Sequence, residues 1–535
     1  MMMLLIRSCN QRCALAVQRQ PARRVASLAS SQRKAAYVRK RAQIKCQAPP
    51  SIASIPAEPS DPIGNAGAYI RAIGCSRRVY LKNTYLTAEE IEGLAYRVRV
   101  LSSNEFLNSV LISSTDDDDP EQTQGLDKEI DMYAGGDILD GYLFDPKPGH
   151  VLHAVGGYDP LALFKSGKHK DAAAVASLLD SVSDLALATL GHARKSKVPV
   201  ITIPHGSVTD SGYALCLSTY MCATEQTHFR ILNPSRGLTF DPVGFSYILP
   251  KLRQEFHQQS SSSYGKSCGY ILALMGYEAT PQDMMETGLA SHYLENPMAI
   301  MGTLERTLSL LPPWNQQQCV KNPVVMEGDS QKNYYRNPED VPDYNLPFRN
   351  VQVASTMQAF AEYKADGHAP YTYDTKDDEC FPAAFDLEPL PWDVARESDL
   401  VNYAATFDEI FQQENTVEGL IEAFREIGER GTQDPEEQEG IDVAADFVRR
   451  LEAQAPLALR VTHKLLKLGQ GPTETIQSCM EREKNAQMKL MTMPDFHNWG
   501  KAQLTGGKAS KLMSWQHRSV ADVTEDEVSE VIGLH

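Results

Sequence analysis

No acidic residue occurs before Glu58, although the 535-residue chain carries a net charge of −17. The acid-free start instead holds eleven cations among alanines and serines: Arg7, Arg12, Arg19, Arg23, Arg24, Arg33, Lys34, Arg39, Lys40, Arg41 and Lys45. That composition predicts a mitochondrial or plastid transit peptide over residues 1–50, with a retained RNA-binding arm as the alternative. No uninterrupted apolar run approaches about 18 residues, so no membrane insertion is expected. No C-x-x-C pair occurs among the 10 cysteines, which are scattered as in a reducing compartment. A disulfide frame and a thiolate metal site are therefore not expected. The acidic balance argues against bulk attraction to nucleic acid or to an anionic membrane. With 42% hydrophobic residues, the chain is long enough for a large core or more than one domain.

Residues 51–67 are rich in Pro, Ser and Ala and read as a linker. Folded structure is expected from Ala68. Arg78 to Leu81 reads as a strand. Thr87 with Glu90 three residues on forms a capping box for a helix to about Ser102. Asn108 to Ser113 is the next strand, and Asp171 to Leu190 carries apolar residues at helical spacing. The run Asp116-Asp117-Asp118-Asp119 reads as a solvated loop, since adjacent carboxylates repel and lack a rigid frame for a metal. Thr280-Pro281 starts a helix that Gly288 ends. Leu311 to Asn402 gathers Pro, Tyr and Trp with little periodicity except around Val353 to Tyr363, so 311–402 is expected to be an irregular insertion with a docking surface.

Two turns suggest chemistry. Val198 to Ile203 is a short buried strand, broken by His205-Gly206. Asp210-Ser211-Gly212 then opens what reads as the first turns of a buried helix through Leu217. Backbone N–H groups at such an opening are unpaired and can hold an oxyanion. By itself the stretch reads as an ordinary strand-to-helix connection. The nearby Cys216 reads as a buried structural thiol. Upstream, Ala134-Gly135-Gly136-Asp137 is a second tight turn whose glycines admit close backbone approach.

With both turns in hand the chain resembles the enoyl-CoA hydratase/isomerase (crotonase) superfamily, in its 3-hydroxyisobutyryl-CoA hydrolase branch. The segment from Cys268 to Leu294 and the C-terminal pieces around Ala455-Pro456, Asp495 to Gly500 and Val523 to Val528 carry the same resemblance. It implies an α/β fold: a crotonase-like ββα spiral core over 68–310, then the insertion 311–402, then a C-terminal helical region over 403–535. It implies backbone oxyanion donors at Gly136 and Ser211.

The resemblance also marks departures. The branch places a catalytic Glu where this chain has Asn233, and its second carboxylate is retained as Asp241. Three glycines are usual where Asp210-Ser211-Gly212 stands. The loop that helps hold the CoA adenine end is compressed to Lys82 through Leu86, and Asn498-Trp499 replaces a usual Glu. An amide can neither take a proton at pH 7 nor attack a thioester. His463 and His497 read as lone structural histidines.

Two functions follow from the resemblance. One is a catalytically degraded structural component of the mitochondrial small ribosomal subunit. Its neighbours would be ribosomal proteins, with rRNA met through local patches such as Lys165/Lys168/Lys170, Arg194/Lys195/Lys197 or Lys501/Lys508/Lys511/Arg518. The alternative is an active acyl-CoA thioesterase of valine breakdown that relies on Asp241. Either way the chain is expected in the mitochondrial matrix, with no cofactor and no metal.

Overall fold

The computed structural model describes residues 68–81, 85–114, 157–190, 198–204, 206–252, 264–294, 297–313, 353, 356–357, 360, 363–364, 398–430, 434–505 and 514–534. The expected transit peptide and linker, the acidic run at Asp116, the turn bearing Gly136, and most of 311–402 lie outside the described residues. So do Arg194/Lys195/Lys197, Lys508 and Lys511.

A mixed sheet forms the spine. Strands β1 (Ala68–Ile73) and β2 (Ser76–Leu81) pair antiparallel, and β3 (Ser109–Ser114), β4 (Val200–Thr202), β6 (Tyr220–Thr224) and β8 (His292–Leu294) continue it in parallel. A short antiparallel strand, β9 (Tyr363–Lys364), closes the order β1-β2-β3-β4-β6-β8-β9. Beside it, β5 (Ser207–Thr209) pairs in parallel with β7 (His228–Arg230).

The central strands are apolar on both faces, as parallel strands covered on two sides must be. Val110, Ile112, Val200, Met221 and Ala223 enter the main core, while Leu111, Ile201, Tyr220 and Cys222 face a second cluster with Leu304 and Leu308. Val353 and Met357 join that second cluster. The one periodic part of the expected insertion is thus built into the fold.

On the main-core side α1 (Ala88–Ser102) packs on α3 (Ala172–Leu190), with α2 (Pro160–Lys165) between them in sequence. The Thr87/Glu90 capping box is present, with Thr87 Oγ1 accepting from Glu90 N at 3.2 Å. By length and composition alone α3 could cross a membrane. Here it buries Val175, Leu178, Leu179, Val182 and Leu185 in protein. Each such side chain contributes roughly 1.5–3 kcal/mol on burial. Its outer face carries Asp180 and Asp184, paired with Lys484 and Arg99. It is a core helix.

The chain continues through α4 (Phe245–Ile248), α5 (Gly265–Met275), α6 (Pro281–Thr287) and α7 (Pro297–Ser309). Gly288 ends α6 at φ 78°, the left-handed conformation expected of it. The C-terminal region is helical: α8 (Asp399–Thr406), α9 (Asp408–Gln413), α10 (Val417–Gly428), α11 (Pro435–Ala453), α12 (Pro456–Gly469), α13 (Ile476–Met491), α14 (Pro494–Leu504) and α15 (Glu525–Ile532). Helices α12 and α13 pack on α4, and α14 packs on α2. The α/β core followed by C-terminal helices is the architecture the resemblance implied.

Candidate functional site

The site is built just past the ends of the parallel pair β5 and β7, with Asp210 directly after Thr209 and Asn233 shortly after Arg230. After β5 the chain enters Asp210–Leu215, which is a buried 3-10 helix rather than the opening of an α-helix. The reason sits at its first residue. Asp210 has φ 42°, the one non-glycine residue with positive φ among the described residues. A side chain in that region costs about 1–2 kcal/mol and must be held by its surroundings.

The hold is explicit. Asp210 Oδ1 accepts from the backbone N–H groups of Leu232 (2.8 Å) and Asn233 (3.1 Å), and Oδ2 pairs with Arg236 at 2.9 Å. Arg236 also donates to Asn233 Oδ1 at 3.4 Å and lies 5.8 Å from the centre of the Trp499 ring. Asp210, Asn233 and Trp499, all departures from the hydrolase pattern, are therefore joined through one guanidinium. The charge at Asp210 is turned toward the Asn233–Arg236 turn and neutralised there. Burial nevertheless raises its carboxyl above the ordinary range, against the pull of Arg236.

Asn233 and Asp241, eight residues apart, meet directly. Asn233 Nδ2 donates to Asp241 Oδ2 at 3.0 Å and to the Thr239 carbonyl at 2.8 Å. Asp241 Oδ1 accepts from Tyr158 Oη at 2.6 Å and from Gln487 Nε2 at 3.0 Å. Gln487 Oε1 accepts in turn from Thr239 N at 2.9 Å. Asn233 and Asp241 are each 1% exposed, and Gln487 and Thr239 are fully buried. Burial, with the nearby Asp210 charge, raises the Asp241 carboxyl to about 6 despite three donors. Burial and the Asp241 charge push the Tyr158 phenol well up.

A second buried acid stands one helical turn before Gln487. Glu483 accepts from Gly244 N (2.8 Å), Ser246 N (2.6 Å) and Ser246 Oγ (2.7 Å), and burial raises it to about 7. It caps α4 from another helix, satisfying N–H groups that a helix start leaves open.

Ser211, the expected second oxyanion donor, is buried on this turn. Gly157 packs against it so closely that a Cβ at 157 would overlap Ser211 Oγ and sit 2.9 Å from Gly212 N. The chain thus passes over the turn at Gly157 and drops Tyr158 onto Asp241. Gly136, the other expected donor, is outside the described residues. Cys216 is the buried thiol expected, its pKa raised by desolvation alone.

Sequence reasoning did not find Tyr158, Gln487, Arg236 or Glu483. A signal existed for two of them: Glu483 and Gln487 are polar at i, i+4 on the buried face of α13, beside Met480, Ala486 and Leu490. His497 corrects an expectation. It is not alone, because its Nε2 lies 2.9 Å from His169 Nε2, which fastens α14 to the segment after α2. Burial lowers the His497 imidazole first, and the charges of His169, Lys170 and Lys501 add to it. His463 is buried edge to face against Tyr270, their ring centroids 5.5 Å apart, and desolvation lowers it to about 3. Among the described residues no group of three or more His, Cys, Asp or Glu is placed to hold a metal ion.

Chemically, the arrangement can hold a proton on Asp241 near neutrality. Oδ1 accepts from two protein donors and Oδ2 from Asn233 alone, so a reacting group would meet this carboxyl at Oδ2, beside Asn233. Asn233 supplies hydrogen bonds only.

Comparison with known proteins agrees with this frame. A family model described as Enoyl-CoA hydratase/isomerase matches residues 157–369 and 374–532, passing through much of the expected insertion. Human mitochondrial 3-hydroxyisobutyryl-CoA hydrolase is 22% identical over 336 residues, 62% of this chain and 62% of that protein. The bovine protein of the same name is 21% identical over 334 residues, with the same coverage. The chain thus spans 62% of the length of these relatives. A carnitinyl-CoA dehydratase from Mycobacterium thermoresistibile superposes with a TM-score of 0.54 at 16% identity, over 87% of this chain and 96% of that one. An enoyl-CoA hydratase from Rhodobacter sphaeroides 2.4.1 gives 0.50 at 15% identity, over 87% and 97%. These two show the shared fold. On the family match over most of its length, the chain belongs to the enoyl-CoA hydratase/isomerase family.

Proposed function

We propose that this chain is a crotonase-fold protein of the 3-hydroxyisobutyryl-CoA hydrolase type that has exchanged turnover for a structural role, as a component of the mitochondrial small ribosomal subunit. One observation carries the loss of turnover. Asp241 has both oxygens engaged by Tyr158, Gln487 and Asn233 inside the protein. A general acid or base must reach the proton it moves, and among the described residues the side-chain partners of this buried carboxyl are Tyr158, Gln487 and Asn233. Mitochondrial residence, in the matrix, is supported by the acid-free basic start and by the mitochondrial relatives. Ribosomal protein neighbours would be the main contacts of so acidic a chain. The exposed Lys165, Lys168, Lys170, Lys501 and Arg518 are the described candidates for rRNA phosphates.

The second reading is an active acyl-CoA thioesterase. The Asp241 carboxyl at about 6 favours it, since a group poised near neutrality suits proton transfer. The test has two arms. Purified protein is assayed for free thiol release from 3-hydroxyisobutyryl-CoA, beside Asp241→Ala. Negligible release by both is expected, and Asn233→Glu should restore little. Turnover of about 1–10³ s⁻¹ that Asp241→Ala abolishes would make the thioesterase reading correct. In the other arm, native protein should sediment with the small ribosomal subunit in high salt. Migration as a free protein of its own size would refute the ribosomal role.

A further inference from the structure

Between the loop after α5, helix α8 and helix α11 is an open cleft of about 530 Å³. Tyr277, Tyr403 and Phe447 form its aromatic walls, with Glu439 and Asp442 on its rim. The rings are set edge to face: Tyr277 and Tyr403 have centroids 6.3 Å apart at 84°, and Tyr403 and Phe447 6.1 Å apart at 87°. Tyr277 Oη donates to the buried Asp283 at 3.3 Å, which fixes that ring.

The charge lining the cleft is net negative: Glu439, Asp442 and Asp446 stand against one cation, Arg450. Asp446 is neutralised by Arg449 and Arg450. Asp442 accepts only from the Gln438 amide at 2.7 Å. Glu439 is exposed and has no hydrogen-bond or ion-pair partner among the described residues. The negative field is felt at Tyr403, whose phenol is raised first by burial and then by Asp399, Glu439, Asp283 and Asp446. Aromatic faces under a cation, with carboxylates at the rim, attract guanidinium or ammonium groups.

We propose that this cleft docks a basic segment of a partner protein, seating an arginine or lysine side chain against Tyr403 and Tyr277 with Glu439 and Asp442 on its charge. The cleft is larger than one such side chain and open along the exposed rim, so flanking residues of an extended segment can lie in it. The acidity of the chain as a whole favours basic partners. The inference is independent of whether Asp241 has lost its catalytic use.

The test uses the full chain and a fluorescein-labelled ten-residue Gly/Ser peptide bearing three arginines, read by anisotropy at physiological salt. The control peptide carries citrulline, which keeps the shape and removes the charge. Binding of the arginine peptide is expected to weaken about fivefold or more in Tyr403→Ala, in line with the loss of a cation–π contact. Glu439→Gln should weaken it likewise. Tyr403→Phe, which keeps the ring, should bind as the parent does and shows that the site folds. Glu89→Gln, an equal charge change on distant α1, should have no effect. Equal binding of the citrulline peptide, equal loss in Glu89→Gln, or no binding at all would overturn the proposal. So would displacement by ethylguanidine at comparable affinity, which would make the occupant a free small cation. Self-association that the cleft variants abolish would make the occupant a second copy and would also overturn it.

Discussion

Replacing Asn233 by Asp is nearly isosteric and exchanges one heavy atom, Nδ2, for an oxygen. Nδ2 now donates to Asp241 Oδ2 at 3.0 Å and to Thr239 O at 2.8 Å. In Asn233→Asp an acceptor faces two acceptors. The hydrogen bond to a carboxylate is worth about 1.5–3 kcal/mol and the bond to the carbonyl about 0.5–1.5. Their loss sums to roughly 2–4 kcal/mol. Two carboxylates 3.0 Å apart cannot both ionise, so the pair must keep one proton between them. With Asp241 already raised to about 6, that proton is held readily at pH 5 and must be retained against solvent at pH 8. The shared proton restores one O–H···O bond at the lower pH. Urea unfolding followed by intrinsic fluorescence at pH 5 and pH 8 reads the effect. The expected destabilisation is about 2–4 kcal/mol at pH 8 and clearly less at pH 5. A variant as stable as the parent at pH 8, or one equally destabilised at both pH values, would show that the Asn233–Asp241 contact is not made as described.

Glu483→Gln tests the second buried acid. Its folded pKa, about 7, lies above an ordinary glutamate, so its stabilising contribution is full below about pH 4 and lost as pH rises through 7. The parent should lose stability over that window, and Glu483→Gln should flatten that part of the profile in urea midpoints. An unchanged profile would refute the assignment. Gly237→Ala should destabilise by more than the ~1–2 kcal/mol of a left-handed alanine. Gly237 sits at φ 75°, and its added Cβ would lie 2.8 Å from Asp495 Cβ and 2.9 Å from the Phe496 backbone N. Thermal melting that matches the parent would contradict the close approach of α14 to this turn.

Local signals in the chain proved sufficient for local structure. Thr87 and Glu90 specify a helix start through their own backbone, and Thr280, Pro281 and Gly288 bracket a helix the same way, because caps act within four residues. The apolar spacing of Asp171 to Leu190 specified α3 but not its setting, since a core helix and a membrane helix share that composition. The alternation of Val110, Leu111 and Ile112 between two clusters could not be read, as a fully apolar strand has no visible faces.

The site divides in the same way. That Asn233 stands eight residues before Asp241, and that an amide cannot move a proton, is written in the chain itself. The fate of the remaining carboxylate is not. It depends on Tyr158 and Gln487, residues 83 and 246 positions from Asp241. The same holds for Asp210, which the sequence alone presents as a charge beside an oxyanion turn. The fold makes it a clamp, because Arg236 and two N–H groups converge on it in a volume that excludes water. Short-range sterics and capping are properties of neighbours in sequence. Satisfaction of buried polar atoms is a property of neighbours in space, and only the packed chain selects those.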